Sequence, residues 1–289
     1  MLYVVATPIG NLGDMSPRAI DVLRSVGLIA AEDTRHTLKL LNHFDIRTPL
    51  TSYHEHNEQQ KAERLVTRMV EEGLSVALVT DAGTPAISDP GAIFVRQAAQ
   101  AGIEVIAVPG PTAFAAALSI SGFTRPQFTF YGFPPRDRKA LFAFLETMKG
   151  QAQLAVLHES PHRVAALLKA VLDCLGDVEL SLSCDLSKLH EKTLRGPATK
   201  VLEVFLANEK AEKGEYVLVM DLGSLPADQV EPVQDISLEA RLFDLMLQGE
   251  DLRTAQQKLQ EQGIRKNLVY AAALRLKGLL KEEGQEKCL

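Results

Sequence analysis

Short, continuous apolar runs that each end in a glycine- or proline-rich loop constrain this chain more than any other feature. Leu2–Ala6, Ser75–Thr80 and Glu104–Val108 are such runs, and each is followed by a loop and then by a helical pattern. An unbroken apolar run suits a strand covered on both faces, and a helix between successive strands supplies the crossover of a parallel sheet. Leu28–Ala31 and the extended piece Pro49–Tyr53 add two further strands. Ser16-Pro17 reads as an N-cap with proline at the first helical position. Helices are also predicted over Thr34–Phe44 and over Asn57–Glu72, the latter stopped by Gly73. Residues 1–122 are therefore expected to form a parallel, doubly wound α/β domain.

Gly122-Phe123-Thr124-Arg125-Pro126 interrupts this pattern. Beyond it, strands are predicted at Phe128–Phe133, Leu154–Glu159, Val178–Leu186 and Tyr216–Leu222, with helices at Lys139–Met148, His162–Leu175 and Thr199–Asn208. Residues 123–222 are expected to be a second α/β domain with antiparallel pairing. Residues 223–235 hold two prolines and little apolar periodicity and read as a linker. Residues 236–289 read as a small helical tail, with Leu252–Gln262 and Arg265–Lys281 around a tight turn, in the manner of a helix-turn-helix.

Composition narrows the class. In 289 residues, 46% are hydrophobic and 24% charged, which excludes disorder as the main state. The apolar start stops at Pro8, and no run approaches the length of a membrane span, so a cytoplasmic protein without signal peptide is expected. Cys174, Cys184 and Cys288 form no metal-ligand spacing, and the pair His54 and His56 lacks a third ligand, so no metal is expected. The net charge of -6 means that any nucleic-acid contact needs a local basic surface.

Three loops converge on one small ligand. Thr7–Asp14, Thr80–Gly91 and Pro109–Ala113 all follow strands of the first domain. In open α/β sheets the carboxyl ends of the strands form the ligand crevice. The loops match neither the phosphate-binding GxxxxGK[ST] pattern nor GxGxxG. Their chemistry is mostly backbone amide with few charges, which suits an adenine, a ribose and a zwitterionic tail better than a polyphosphate.

Thr7-Pro8-Ile9-Gly10-Asn11-Leu12, Ala31-Glu32-Asp33-Thr34-Arg35-His36-Thr37, His54–Glu58, Asp81-Ala82-Gly83-Thr84-Pro85, Ser88–Gly91 and Pro109–Pro111 together resemble one family. It is the RsmI-type small-subunit (16S) ribosomal RNA 2′-O-ribose methyltransferases, a branch of the tetrapyrrole methylase superfamily. Glu159–Arg163 and Gly214–Val219 continue the likeness, which covers residues 2–222 and, more loosely, the tail. The resemblance implies two α/β domains with S-adenosylmethionine between them, a homodimer, and a cytidine ribose in the decoding region of 16S RNA, within the small ribosomal subunit, as acceptor. Rival readings are a methylase of a small tetrapyrrole precursor, which would need a deep closed pocket, and a non-catalytic ribosome-assembly factor.

Pro8, Ile9, Gly10, Asp81, Ala82, Gly83, Thr84, Pro85, Gly110, Pro111, Thr112 and Ala113 are the expected cofactor contacts. Glu32, Asp33, Arg35 and His36 stand at a strand-to-helix junction; RNA contact is one reading and helix capping by Asp33 or Thr34 the other. His162 and Arg163, the basic loop with Arg136 and Arg138, and Arg265 and Lys266 of the tail complete the expected RNA contacts, the tail residues with packing or dimerisation as the alternative. Glu159, Lys188, Glu191 and His36 are unranked candidates to orient or deprotonate the 2′-hydroxyl, with a charge pair that only stabilises the domain as the alternative for Lys188 and Glu191. Where the family shows Arg-Glu-Leu-Thr-Lys, this chain has Cys184-Asp185-Leu186-Ser187-Lys188. The missing arginine and shorter acid leave the role of positions 184 and 185 open.

Overall fold

A computed structural model describes residues 1–208, 212–223, 225, 237–261 and 264–285, and the side chains among these except for 279–285. Residues 1–227 form one compact unit and residues 228–289 a second.

The first half contains β1 (Leu2–Val5), α1 (Pro17–Ser25), β2 (Leu28–Ala31), α2 (Thr34–His43), β3 (Leu50–Ser52), α3 (Glu58–Glu71), β4 (Val76–Val79), α4 (Ala92–Gln100), β5 (Val105–Val108) and α5 (Ala113–Ser121). The five strands pair in the order β3-β2-β4-β1-β5, all parallel. Ser16 caps α1 through its hydroxyl, which accepts from the Ala19 amide, and Pro17 follows at the first helical position.

Strand alternation divides the core in two. Val76 and Leu78 of β4 pack with Leu2, Ala30 and Phe94 on one face, and Ala77 and Val79 pack with Val5, Ile29 and Leu41 on the other. β4 is buried throughout, as its sequence predicts; β5 is not. It pairs with β1 alone at the sheet edge, and Ala107 is exposed. An apolar run records tolerance of burial, and its place in the sheet decides how much burial it receives.

The second half contains β6 (Phe128–Gly132), α6 (Arg138–Met148), β7 (Leu154–Glu159), α7 (Val164–Leu175), β8 (Glu179–Cys184), β9 (Lys192–Pro197), α8 (Ala198–Leu206) and β10 (Tyr216–Asp221). Its order is β6-β7-β10-β8-β9, with β6 parallel to β7 and every other pair antiparallel. Sequence reading did not foresee β9. Lys-Thr-Leu-Arg-Gly-Pro has no apolar run, because this edge strand has no fully buried residue. Helices α6, α7 and α8 cover one face around Leu145, Leu168 and Val201. The other face, with Val156, Val217 and Val219, receives Ala117 of α5. That explains why α5 reads Ala-Phe-Ala-Ala-Ala-Leu-Ser-Ile-Ser: it is apolar because it joins the two halves.

The tail contains three helices, α9 (Leu238–Leu247), α10 (Leu252–Glu261) and α11 (Lys266–Gln285), around a core of Leu242, Ala255, Leu259 and Val269. The two-helix expectation lacked α9. The expected turn at Gly263, the linker apart from Gly223 and Leu225, and Cys288 lie outside the described residues.

Candidate active site

The loops after β1 and β4 are tied by backbone bonds, and the Thr84 side chain ties the loop after β5 to them. The Thr7 amide donates to the Gly83 carbonyl at 2.9 Å, and the Gly83 amide returns a bond to Thr7 at 3.0 Å. Thr84 Oγ1 donates to the Pro111 carbonyl at 3.3 Å and lies 2.8 Å from Thr112 Oγ1. Gly83 has φ +90°, a backbone that favours glycine. A Cβ at Gly110 would come within 2.9 Å of the Ala6 side chain, so glycine there lets the third loop lie against β1.

These loops form one wall of a cavity of about 430 Å³. That volume falls within the range of about 300–1,000 Å³ typical of small-molecule and cofactor sites. Ile9, Gly83 and Thr112 come from the first sheet's loops. The opposite wall comes from the second sheet: Glu159 ends β7, Leu186 follows β8, Glu215 precedes β10 and Tyr216 begins it. Tyr216 sits beside Glu159 on one side and Cys184 on the other, so antiparallel pairing brings the start of β10 to the ends of its neighbours.

The lining is acidic. Glu32, Asp81, Asp89, Glu159 and Glu215 line the cavity, whereas among the described residues no lysine or arginine does. Two of these acids are paired from behind. Glu159 is buried and meets Arg163 Nη2 at 3.2 Å, and the Ser160 amide donates to its Oε1 at 2.7 Å. Glu215 meets Lys188 Nζ at 3.0 Å. Glu32 Oε2 accepts from Thr80 Oγ1 at 2.5 Å, and Asp81 Oδ1 accepts from the Asp33 amide at 3.1 Å. Burial, and then the neighbouring Glu32 charge, push the Asp89 carboxyl up to about 6. Burial likewise raises Asp81. Such a site repels a polyphosphate and attracts a cation. S-adenosylmethionine fits it by chemistry: a sulfonium and an ammonium for the carboxylates, a ribose diol for the same acceptors, and an adenine for apolar walls that include Phe114 and Ile87.

The model of the tetrapyrrole (corrin/porphyrin) methylases matches residues 1–202. The chain belongs to this family. It is 42% identical over 263 residues to ribosomal RNA small subunit methyltransferase I of Synechocystis sp., covering 91% of this chain and 92% of that one. The protein of the same name from Pseudomonas aeruginosa is 41% identical, covering 96% of this chain and 98% of its own. Among solved structures, uroporphyrin-III-C-methyltransferase from Thermus thermophilus is similar in fold, with TM-score 0.54 and 19% identity, over 77% of this chain and 94% of that one.

Within this methylase fold, the expected cofactor residues distribute unevenly. Ile9, Asp81, Ala82, Gly83, Thr84, Thr112 and Ala113 line the main cavity. Gly110 and Pro111 line a neighbouring hollow, Pro8 and Gly10 line another, and Pro85 lines none of the three. Of the four catalytic candidates, Glu159 alone lines the main cavity. His36 faces an adjoining groove beside Lys39, and Glu191 faces the hollow behind Ile9 with Oε2 accepting from the Ser187 amide at 2.6 Å. Lys188 is clamped between Asp185, at 2.8 Å, and Glu215. Burial works against its ammonium, but the hydrogen bonds to Asp185 and Glu215 outweigh it and raise its pKa. The shortened acid at position 185 thus still holds the lysine.

The residues assigned to RNA also part company. Glu32 lines the cavity. Asp33 caps α2, accepting from the Arg35 amide at 2.8 Å, and its carboxylate pairs with the Arg35 guanidinium at 3.0 Å. Arg163 faces inward, donating to the carbonyls of Pro134 and Pro135 at 3.1 and 2.8 Å as well as pairing with Glu159. His162 is exposed, as are Arg136, Arg138, Arg265 and Lys266. The guanidinium of Arg138 lies 5.3 Å from the centre of the Phe142 ring.

Phe133, His158, Glu215, Tyr216 and Asp89 line the cavity without having been singled out by sequence. Asp89 lies in the recognised Ser88–Gly91 stretch, so its position carried the signal. Ala86 and Ser88, at φ +66° and +67°, wind that loop back toward the site. Glu215 and Tyr216 lie in the recognised Gly214–Val219 stretch, but at the amino end of a strand, where a rule about carboxyl ends does not look.

Proposed function

We propose that the protein transfers a methyl group from S-adenosylmethionine to the ribose 2′-hydroxyl of a cytidine in the decoding region of 16S ribosomal RNA. The observation that carries this reading is the carboxylate-lined cavity, with no lysine or arginine among the described residues that line it, in a chain 41–42% identical to named small-subunit RNA methyltransferases. The cofactor, when bound, supplies an electrophilic methyl on a cationic sulfur. The loops after β1, β4 and β5 hold it, and the acidic walls favour its charge.

The acceptor hydroxyl is a weak acid and must be oriented and relieved of its proton. Glu159 is the residue we assign to orient it. A carboxylate has about four acceptor sites, so its bonds to Ser160 and Arg163 leave capacity for a hydroxyl donor. Lys188 acts as a fixed cation that positions Glu215 and Asp185.

The reading includes a cytoplasmic homodimer acting on the small ribosomal subunit, with residues 1–122 and 123–222 as the two domains of the catalytic unit and the tail as an RNA grip. Exposed Arg265 and Lys266 support the last point, whereas Arg275 pairs with Glu239 of α9 and is occupied within the tail. The RNA methyltransferase relatives cover 91% and 96% of this chain, and the uroporphyrin methyltransferase structure covers 77%. The deciding experiment incubates the protein with labelled S-adenosylmethionine and small subunits lacking modifications, then maps the labelled nucleotide. Label on a cytidine ribose is expected. Label on a tetrapyrrole precursor and none on RNA would overturn the reading.

A further inference from the structure

The loop after β6 places an aromatic ring at the rim of the cavity. Phe133 lines the cavity and is nevertheless 58% exposed, the position of a rim residue. An exposed phenylalanine leaves apolar area in water, and here the backbone holds it there. The register of β6 on β7 shifts between Phe130 and Gly132, and Gly132 turns with φ +68°. Pro134 and Pro135 follow, their carbonyls held by Arg163, which is itself anchored on buried Glu159. Behind Phe133 a ladder of rings runs inward. Its centroid lies 5.4 Å from that of His158, His158 lies 5.0 Å from Phe130, and Phe130 stacks on Phe114 at 4.6 Å. Burial lowers the pKa of His158, so the ladder carries no charge at neutral pH. Three residues on, Arg136 is exposed and has no ion-pair partner among the described residues.

We propose that Phe133 is the stacking platform for the unpaired base of the target nucleotide, with Arg136 contacting a flanking phosphate. This rests on the RNA methyltransferase reading above. A ribose 2′-oxygen can reach a methyl group inside a cavity only if its nucleotide leaves the stack, and a splayed base then needs a flat apolar partner. An aromatic face fixed at the rim, followed by a guanidinium, is the combination by which proteins hold single-stranded nucleic acid. The adenine of the cofactor has the same flat chemistry. The rim position and the adjacent Arg136 favour the base of the RNA.

The test uses the full-length protein with Phe133→Ala, Phe133→Leu and Phe133→Tyr. Affinity for S-adenosylmethionine is read by calorimetry, and kcat and KM for unmodified small subunits by label transfer. Phe133→Ala should raise KM by about 5- to 150-fold, the range that loss of one base–aromatic stack implies. Phe133→Leu should show most of the same rise in KM, Phe133→Tyr should keep KM near the wild-type value, and cofactor affinity should stay unchanged in all three. Full activity in Phe133→Leu would show that only apolar bulk matters and would overturn the proposal. A parallel loss of cofactor affinity would overturn it in favour of adenine. Unaltered wild-type protein that labels no RNA would instead sink the underlying reading.

Discussion

The two sheets reach the same cavity by opposite rules. In the first, every strand is parallel, so every carboxyl end opens on one edge and the loops after β1, β4 and β5 meet there. In the second, antiparallel pairing sets the end of β7 beside the start of β10, and the site draws on both. A parallel sheet thus gathers its functional residues at positions of one kind, whereas a mixed sheet scatters them along the chain. The walls differ in support as well. The first wall rests on the Thr7–Gly83 backbone bonds and the Thr84 hydroxyl, and the second on an ion pair between buried Glu159 and partly exposed Arg163.

The sharpest test of that contrast removes the ion pair. Glu159→Ala leaves the Arg163 side chain, 28% exposed, without its carboxylate. Breaking a fully buried pair on one side costs about 3 kcal/mol or more, and the partial exposure of the remaining arginine reduces that to about 1–2 kcal/mol. Urea unfolding should show a loss of that size, together with loss of methyl transfer. On the first wall, Gly83→Val forces a β-branched residue into φ +90°. The strain is about 1–3 kcal/mol, and because it falls on the loop junction, affinity for S-adenosylmethionine should drop about tenfold or more by calorimetry. If Gly83→Val reduces stability without touching affinity, the two walls are both merely structural and the contrast fails.

The same contrast explains what could be read from sequence. The parallel half was legible because its strands are short apolar runs and its helices carry caps such as Ser16. β9 was not, since an edge strand without a fully buried residue needs no apolar pattern. Residues with a local role were visible in outline, but their partners were not. The sequence offers an RNA contact for Asp33 and Arg35, with capping by Asp33 or Thr34 as the alternative, and only the fold shows one Asp33 carboxylate capping the helix while pairing with the guanidinium two residues later. Arg163 looked available for RNA because its partners, Pro134, Pro135 and Glu159, include a loop nearly thirty residues upstream. The acidity of the cavity was hidden for the same reason: Glu32, Asp89 and Glu215 are far apart in sequence and meet only when the sheets are assembled.

On the first wall that acidity has a pH signature. In the free protein, Asp89 is held up to about 6 from an ordinary value of 3.8. A raised carboxyl favours the protonated form, so its contribution to stability is present at low pH and is lost as pH rises from about 4 through about 6. A cationic ligand has the opposite preference, for ionised Asp89. Binding of S-adenosylmethionine should therefore release a proton below pH 6, and affinity should weaken by up to about tenfold per unit on acidification there. Asp89→Asn should flatten that dependence. A wild-type affinity constant between pH 5 and 7.5 would show that the cation does not sit beside Asp89.

The smallest effects belong at the entrance to α2, where capping and RNA contact compete as explanations. Arg35 is 89% exposed on its side chain, and an exposed pair adds little to stability. Its hydrogen bonds nevertheless hold Asp33 down to about 2, so the cap stays charged across the whole working range and titrates only in strong acid. A depressed carboxyl contributes stability above its ordinary value of 3.8, and that contribution fades as pH falls through about 2. Asp33→Ala should consequently lower the melting temperature at neutral pH more than Arg35→Ala, because the backbone amides at the helix start lose their acceptor. Arg35→Ala should leave cofactor affinity intact and slow methylation of small subunits only slightly, since a guanidinium already bound to Asp33 must leave it to grip a phosphate. His36→Ala, in the groove beside Lys39, should slow methylation more. The reverse order, a silent His36 and a critical Arg35, would mean that the Asp33–Arg35 pair opens when RNA arrives and that the exposed arginine, not the groove, guides the nucleotide in.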